Sequence, residues 1–367
     1  MEKQIDGNNL IHTPYSLIDG ASAFGLSISQ EALELSEIVR NPAEALIDRL
    51  EAFEDIINIE VGDTSLNRAR NLEREVRLRQ IYMKFEGGNP TGTQKDRIAF
   101  VQCLDALRRG FDTITIATCG NYGVSTAIAA KLAGLKCLIF IPDSYHPKRL
   151  KEMTDHGAEI IRLSGTYEES VLYSKKISEE KEYYDANPGG SNTHQQLIAY
   201  AEIAYEIYDQ LRDAPKIVAA PGSNGTMLAG IYRGFVMLYK RGKTSRIPRM
   251  VAGSSFKKNP IIYSFLKGYE QCADLTKEKI HETSVNEPLV NWHSFDGNEA
   301  LWSIRTSKGW AMDISDAKLT YFSKILRDKE GLNVLPASTA GLIALLEEHK
   351  KNPLEGDRYV AILTGRK

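Results

Sequence analysis

Short apolar runs rich in β-branched residues alternate with helical patterns along most of the chain. Because nearly every position of each run is apolar, both faces of these strands should be covered, which is typical of a parallel sheet in an α/β protein. The strand–helix–strand unit is therefore the predicted building block. The predicted strands are residues 113–118, 137–142, 159–163, 216–220, 249–253 and 359–363, and clear helical patterns between them span residues 124–132 and 197–211.

Two further segments flank or interrupt this alternation. Apolar residues at helical spacing predict two amphipathic helices over residues 29–59, with Asn41 as the cap and Pro42 as the first residue of the second helix. Residues 61–66 predict a turn. Residues 267–306 have little periodicity and predict loops and short helices.

The length of the chain predicts two domains. It has 367 residues, and a domain typically takes about 150. We expect an N-terminal α/β domain over residues 67–185 and a C-terminal α/β domain formed by residues 1–66 plus 186–367. Each should be an open, mostly parallel twisted sheet flanked by helices.

Composition removes several classes of function. The chain has 46 Lys and Arg against 48 Asp and Glu, so it offers no electrostatic footprint for nucleic acid or for an anionic membrane. Its four cysteines form no C-x-x-C pair, and we expect no metal site. Sparse cysteines, no recognisable secretory signal and no apolar stretch approaching the roughly 18 residues of a membrane span predict a cytoplasmic protein.

Lys95 is the first candidate for chemistry. It follows the turn-rich residues 85–92 and lies in the first turn of a predicted helix. The helix dipole disfavours a cation there and lowers the pKa of the ammonium group. A neutral lysine amine is what Schiff-base chemistry requires. The alternative is a solvated lysine in a charged surface cluster.

Three more segments lie at predicted strand ends, where ligands bind in open α/β sheets. In residues 117–125 the backbone amides and the Asn121 side chain can hold an anionic or hydroxylated group. The small residues 221–226 precede a helix start, which is a phosphate-binding geometry. Thr364 places a hydroxyl at the end of the last strand. Each could be a plain turn or strand exit, but together with Lys95 they suit pyridoxal phosphate.

The sequence resembles the fold-type II pyridoxal-phosphate enzymes of the tryptophan synthase β-like superfamily, and most of all the threonine synthases. Residues 84–97, KFEGGNPTGTQKDR, are similar to that family's K-x-E-x-x-N-P-T-G-S-F-K-D-R. The resemblance implies that the cofactor binds in a cleft between the two domains. Further motifs that resemble the family follow its order, at residues 62–66, 117–125, 221–226, 336–342 and 362–365.

The resemblance implies a role for individual residues. Lys95 would bind the cofactor as a Schiff base, Asn121 would hydrogen-bond its 3′-oxygen, and Thr364 would face its ring nitrogen. A hydroxyl cannot keep the pyridine protonated as a carboxylate would, which favours β- or γ-elimination and replacement over transamination. The phosphate would be held by Gly222, Ser223, Asn224, Gly225 and Thr226.

The substrate side departs from the family. Threonine synthases carry an arginine for the substrate phosphate, and residues 191–200 have Gln195 or Gln196 in its place. A neutral amide cannot offer the charge-assisted fork of an arginine. His194 could bind substrate or be structural, and Cys119 could be reactive or a plain loop residue. The candidate substrate residues are Thr118, Cys119, Gly120, Tyr122 and His194.

The resemblance implies a pyridoxal-phosphate-dependent lyase or synthase that acts on a small amino acid by β- or γ-elimination or replacement, in the manner of threonine synthase, and works as a homodimer. Two alternatives are a β-replacement enzyme of the cysteine or cysteate synthase type and a serine/threonine dehydratase. A third is a non-catalytic paralogue that binds the cofactor. A nucleotide-binding oxidoreductase would need a G-x-G-x-x-G turn, which the sequence lacks.

Overall fold

The computed structural model describes residues 28–118, 120–145 and 148–367. None of the helices in these ranges is long and apolar enough to cross a membrane. The helices are α1 (Gln30–Arg40), α2 (Leu46–Glu60), α3 (Arg70–Val76), α4 (Lys95–Arg108), α5 (Asn121–Ala133), α6 (Leu150–Asp155), α7 (Tyr167–Lys181), α8 (Thr193–Leu211), α9 (Thr226–Lys240), α10 (Pro260–Lys267), α11 (Gly297–Thr306), α12 (Asp316–Glu330) and α13 (Ala340–Lys351). The strands are β1 (Leu66–Arg68), β2 (Ile81–Phe85), β3 (Thr113–Ala117), β4 (Lys136–Pro142), β5 (Glu159–Leu163), β6 (Tyr184–Asp185), β7 (Ile217–Pro221), β8 (Arg249–Ser255), β9 (Trp310–Ile314) and β10 (Tyr359–Leu363).

The strands form two sheets. One has the order β1-β2-β10-β7-β8-β9, in which β1 is antiparallel to β2 and the other neighbours are parallel. The other has the order β5-β4-β3-β6, with every pair parallel. The predicted fold class, α/β with two mostly parallel sheets flanked by helices, is confirmed. The predicted domain bounds stay a prediction; β2, which lies inside residues 67–185, pairs in the six-stranded sheet.

All six predicted strands are present, and most of their positions are apolar, although β5 also contains Glu159 and Arg162. Every residue of β3, β7 and β10 is buried, as expected for strands covered on both faces. The sequence analysis missed four strands. Two of them are short: β1 has three residues and β6 has two. β2 contains a lysine. β9 contains an aspartate, and its apolar and polar positions alternate less clearly.

The predicted start of the second helix is wrong. Asn41 is the C-cap of α1, and α2 begins at Leu46 rather than at Pro42. The Asn41 side chain accepts a hydrogen bond from the amide of Ala43 at 3.0 Å, and its carbonyl accepts one from the amide of Glu44 at 3.2 Å. These bonds form a turn, which competes with helix initiation at this position.

A buried network of charges joins β2, α4 and α8. Lys84 on β2 is fully buried, and its Nζ lies 2.5 Å from Glu206 Oε2 on α8. Arg97 on α4 donates to Glu206 at 2.7 Å and to Glu86 at 2.6 Å, with a second bond to each carboxylate. Two cations thus meet two carboxylates, and these four side chains, called here the charge network, connect the elements that flank the start of α4.

The charge network also orders the turn that leads to α4. The Glu86 carboxylate accepts from Asn89 Nδ2 at 3.1 Å and from the Thr64 hydroxyl at 2.8 Å. Asn89 Oδ1 in turn accepts from the amide of Gly62 at 2.9 Å. Gly62 has a φ of 93°, which glycine adopts without strain. The polar residues of this motif therefore build the support for Lys95.

We expect Glu206→Gln to destabilise the fold by about 3 kcal/mol, because Lys84 and Arg97 would lose a carboxylate while remaining buried. Burial alone would raise the pKa of Glu206, but hydrogen bonds and charge from Arg97 and Lys84 outweigh it and lower the pKa to about 2. Its contribution to stability is thus present above the ordinary pKa of 4.5 and lost as the pH falls towards 2. Urea denaturation at pH 7 and at pH 3 measures both effects.

The matched control is Glu180→Gln, which removes an exposed carboxylate 3.6 Å from Lys176 on α7. Such surface pairs contribute between about 0 and 1 kcal/mol, so this variant should unfold close to the wild type. Equal stabilities for the two variants would contradict a supporting role for the charge network.

Candidate active site

Lys95 is the first residue of α4, and its amide donates to the hydroxyl of Thr93 at 3.2 Å. The lysine is half-buried, and its Nζ lies over the ring of Tyr122, 5.1 Å from the centroid. Burial lowers the pKa of Lys95 to about 8, although the charge of Asp296 acts in the opposite direction. A substantial fraction of the amine is therefore neutral near physiological pH, as nucleophilic attack on a carbonyl requires.

The turn before Lys95 is tied to the start of α5. The Thr91 hydroxyl lies 2.7 Å from Asp96 Oδ1 and 3.0 Å from the Ser125 hydroxyl. Ser125 Oγ donates to the carbonyl of Asn121 at 3.0 Å. Asp96 is fully buried, and burial raises its pKa to about 6 against the opposing effect of these hydrogen bonds.

The last strand joins the same cluster. The amide of Gln94 donates to the carbonyl of Thr364 at 3.0 Å, so the residue before Lys95 lies against the end of β10. The Thr364 hydroxyl is 3.0 Å from the hydroxyl of Ser338, which is fully buried. Neither hydroxyl bonds a carboxylate within the described ranges. The structure therefore brings the predicted residues Lys95, Asn121 and Thr364 to one place.

Asn121 is oriented by an arginine that the sequence analysis missed. Arg149 Nη1 donates to Asn121 Oδ1 at 3.0 Å. The amide oxygen is thereby engaged, which leaves Nδ2 of Asn121 as a donor for a cofactor oxygen. The same guanidinium forms a fork with Glu152, with bonds of 2.9 and 2.6 Å. Its only sequence signal was a basic residue after the strand β4.

The predicted phosphate loop ends at the start of α9. Gly225 is the helix cap with a φ of 99°, and a Cβ on it would come within 2.8 Å of Ala300 Cβ. No side chain caps α9, so its first amide donors are available to an anion. The carbonyl oxygen of Ser223 accepts from Asn259 Nδ2 at 3.1 Å. This partly negative atom is therefore directed to Asn259 rather than to the anion. These features fit a phosphate group.

Asp296 is a second residue that the sequence analysis missed. It precedes α11, and its amide donates to the carbonyl of Asn224 at 3.1 Å. Its carboxylate accepts a short hydrogen bond from the hydroxyl of Thr226. No motif marks Asp296 in the sequence, because its segment is irregular and 70 residues separate it from Thr226.

The candidate substrate residues have different environments. Tyr122 is buried, and its hydroxyl lies 2.9 Å from the carbonyl of Ala186, so its ring rather than its hydroxyl faces Lys95. The Thr118 hydroxyl accepts from the amide of Gly120 at 3.3 Å. His194 is exposed on α8 and is not brought to this cluster. Cys119 lies outside the described residues.

The two glutamines at the expected arginine position face the protein. Gln196 is buried and donates to the carbonyls of Ala186 and Asn187 at 3.0 and 3.2 Å. Gln195 donates to Asp105 Oδ1 at 3.2 Å. Their donors are therefore committed to protein acceptors rather than offered to a substrate.

Sequence comparison identifies the relatives of the chain. The family described as "Pyridoxal-phosphate dependent enzyme" matches residues 57–365. The threonine synthase of Methanocaldococcus jannaschii is 31% identical over 315 residues, covering 84% of this chain and 76% of that protein. The threonine synthase of Bacillus sp. (strain ULM1) is 28% identical over 317 residues, with 84% of each chain covered.

Structural comparison agrees on the fold. Maize serine racemase superimposes with a TM-score of 0.71 at 19% identity, covering 87% of this chain and 93% of that one. The processed form of threonine deaminase isoform 2 from Solanum lycopersicum gives a TM-score of 0.68 at 16% identity, covering 90% and 93%. Together with the family match, these findings confirm the resemblance and the cofactor inferred from the motifs.

We expect Lys95→Ala to abolish covalent attachment of pyridoxal phosphate and the visible absorption band that accompanies it. In the wild-type apoprotein, the rate at which the band forms should rise with pH and level off above about pH 8, since the neutral amine is the reactive form. Stopped-flow absorbance measures the rate, and borohydride reduction followed by peptide mass spectrometry identifies the modified lysine.

Lys175→Ala is the matched control, because Lys175 is also partly buried and its charge also interacts with that of Asp296. It should retain the band. A band of full strength in the Lys95→Ala protein, or a reduced adduct on another lysine, would disprove the assignment.

Proposed function

Since the chain belongs to the family of pyridoxal-phosphate dependent enzymes, we propose that it catalyses β- or γ-elimination or replacement on a small amino acid in the manner of threonine synthase. Lys95 would bind the cofactor and serve as the base. Asn121 and Thr364 would contact its ring, and Gly222, Ser223, Asn224, Gly225 and Thr226 would hold its phosphate.

One observation supports this proposal: the hydroxyl of Thr364, the residue that the resemblance implies would face the ring nitrogen, is 3.0 Å from the hydroxyl of Ser338. When bound, pyridoxal phosphate supplies an electron sink that stabilises negative charge at the substrate carbon. A neutral hydroxyl carries no negative charge to stabilise a protonated ring nitrogen, as a carboxylate would, so this pair would leave that nitrogen unprotonated. The cofactor would then withdraw electrons less strongly, which favours expulsion of a leaving group over transamination.

The chain's own residues account for the proton transfers. Lys95 Nζ takes the α-proton of the substrate, and its pKa of about 8 leaves about a tenth of the amine neutral at pH 7. Asn121 Nδ2 holds the cofactor in orientation, because Arg149 occupies the amide oxygen. The ring of Tyr122 covers one side of the lysine and limits access of water to it.

Arg149 supports a substrate with an anionic side chain. A guanidinium has five N–H donors, of which three bond Glu152 and Asn121. The remaining donors suit a phosphate or carboxylate on the substrate. Arg149 would thus supply the positive charge that residues 191–200 lack.

A second candidate is a dehydratase or β-replacement enzyme acting on a neutral amino acid. Gln195 and Gln196 favour it, because both direct their donors into the protein. For either function we propose a homodimer working in the cytoplasm, which the resemblance supports. Buried free thiols at Cys103 and Cys137 are compatible with a reducing compartment.

The test is to titrate the holoenzyme with O-phosphohomoserine, O-phosphoserine, O-acetylserine, serine and threonine while recording visible absorbance and released phosphate, threonine and keto acid. We expect O-phosphohomoserine to shift the spectrum and yield threonine. Arg149→Gln should raise KM for that substrate by about 10- to 100-fold with a smaller change in kcat, since it removes a charge-assisted hydrogen bond worth about 1.5–3 kcal/mol.

Lys151→Gln is the matched control, because Lys151 lies on α6, which Arg149 immediately precedes, and pairs only with exposed Asp155 among the contacts of the described residues. It should leave KM unchanged. Turnover of serine or threonine alone, insensitive to Arg149→Gln, would favour the dehydratase. A coloured protein whose spectrum responds to none of the five would support a non-catalytic role.

A further inference from the structure

Asp296 brings a carboxylate into the loop that holds the cofactor phosphate. An aspartate before a helix ordinarily caps it by accepting from the first amides. Asp296 does not cap α11. Its carboxylate instead accepts from the Thr226 hydroxyl and from the amide of Gly189. It is therefore held at the start of α9 by contacts outside its own helix.

This arrangement creates a conflict when the phosphate binds. The Thr226 hydroxyl has one hydrogen, and in this structure that hydrogen is directed to Asp296. It cannot also be donated to a phosphate oxygen. An ionised Asp296 would moreover lie beside a phosphate that carries between about one and a half and two negative charges at pH 7. A proton on Asp296 removes both difficulties at once.

The surroundings of Asp296 allow it to hold that proton. It is buried, and burial raises its pKa, opposed by the hydrogen bonds from Thr226 and Gly189. An arriving phosphate would raise the pKa further. The ionisable side chains that face Asp296 are Lys95 on α4 and Lys175 on α7, which favour its charged form, Glu299 on α11, which opposes it, and Tyr200 on α8.

We propose that Asp296 is part of the cofactor site and takes up one proton from solvent as the phosphate binds. Its carboxylic acid then donates to Thr226 Oγ1, and the Thr226 hydroxyl hydrogen turns to a phosphate oxygen. The only bond formed is the O–H bond of this carboxylic acid, and it breaks when the cofactor is released and the proton returns to solvent. This inference rests on the proposed phosphate site and adds Asp296 to it. It predicts that cofactor affinity falls as the pH rises.

The experiment uses pyridoxine 5′-phosphate, which carries the phosphate but, lacking an aldehyde, does not react with Lys95. Isothermal titration calorimetry of the apoprotein in two buffers of different ionisation enthalpy gives the number of protons taken up, between pH 6 and 9. We expect the wild type to take up about one proton more than Asp296→Asn. The association constant of the wild type relative to the variant should fall by up to about tenfold per pH unit.

Two controls isolate Asp296. Thr226→Ser keeps the hydroxyl and should keep the proton uptake. Asp313→Asn removes another partly buried carboxyl whose pKa burial raises, on β9, and should behave as the wild type. If Asp296→Asn does not fold, Asp296→Ser provides a smaller neutral residue that is also well tolerated before a helix.

The outcomes separate this inference from the proposed function. Binding with equal proton uptake in the wild type and Asp296→Asn would overturn the role of Asp296 and leave the phosphate site intact. No binding of pyridoxine 5′-phosphate to the wild type would overturn the phosphate site and this inference with it. Uptake that is specific to Asp296 supports both.

Discussion

The site depends on the ion pairs that Lys84 and Arg97 make with Glu86 and Glu206. Isolated charges at these depths would be very unfavourable, and each is tolerated only because the others are present. Their geometry determines where β2, α8 and the turn before α4 meet. Lys95 begins α4 and therefore takes its position from this network. The charged residues of this motif therefore provide structural support as well as chemistry: of its two lysines, Lys84 belongs to the charge network and Lys95 faces the candidate cofactor space.

The candidate substrate side departs from the family pattern. Gln195 and Gln196 donate to protein acceptors, and His194 is exposed. The positive charge proposed for this side is that of Arg149, whose side chain also donates to Asn121, the residue proposed to orient the cofactor. A change at this arginine can therefore alter both specificity and cofactor geometry, which is one physical reason for substrate preference to diverge while the cofactor site does not.

The sequence predicted the strands that are mostly apolar and the residues that lie at their ends. Lys95, Asn121 and Thr364 could be found because a strand end followed by a turn is a local signal. It could not predict β2, whose buried Lys84 is paired with Glu206, over a hundred residues away along the chain. Arg149 and Asp296 were missed for the same reason: their partners, Asn121 and Thr226, are brought to them by tertiary folding rather than by spacing.

The buried carboxylates of the protein therefore have two kinds of partner: cationic side chains in the charge network and hydroxyl groups in the candidate site. In the charge network, carboxylates meet guanidinium and ammonium groups, and the pKa of Glu206 is lowered to about 2, so this carboxylate stays ionised at any cellular pH. In the site, the acids Asp96 and Asp296 meet the hydroxyls of Thr91 and Thr226. A hydroxyl can both donate and accept, so it remains satisfied whether its partner is ionised or protonated. Burial raises the pKa of both acids, to about 6 for Asp96. Glu206 thus keeps its charge, whereas Lys95 and Asp96 have pKa values of about 8 and about 6 and can exchange protons near neutral pH. A reaction that depends on proton transfer requires such groups.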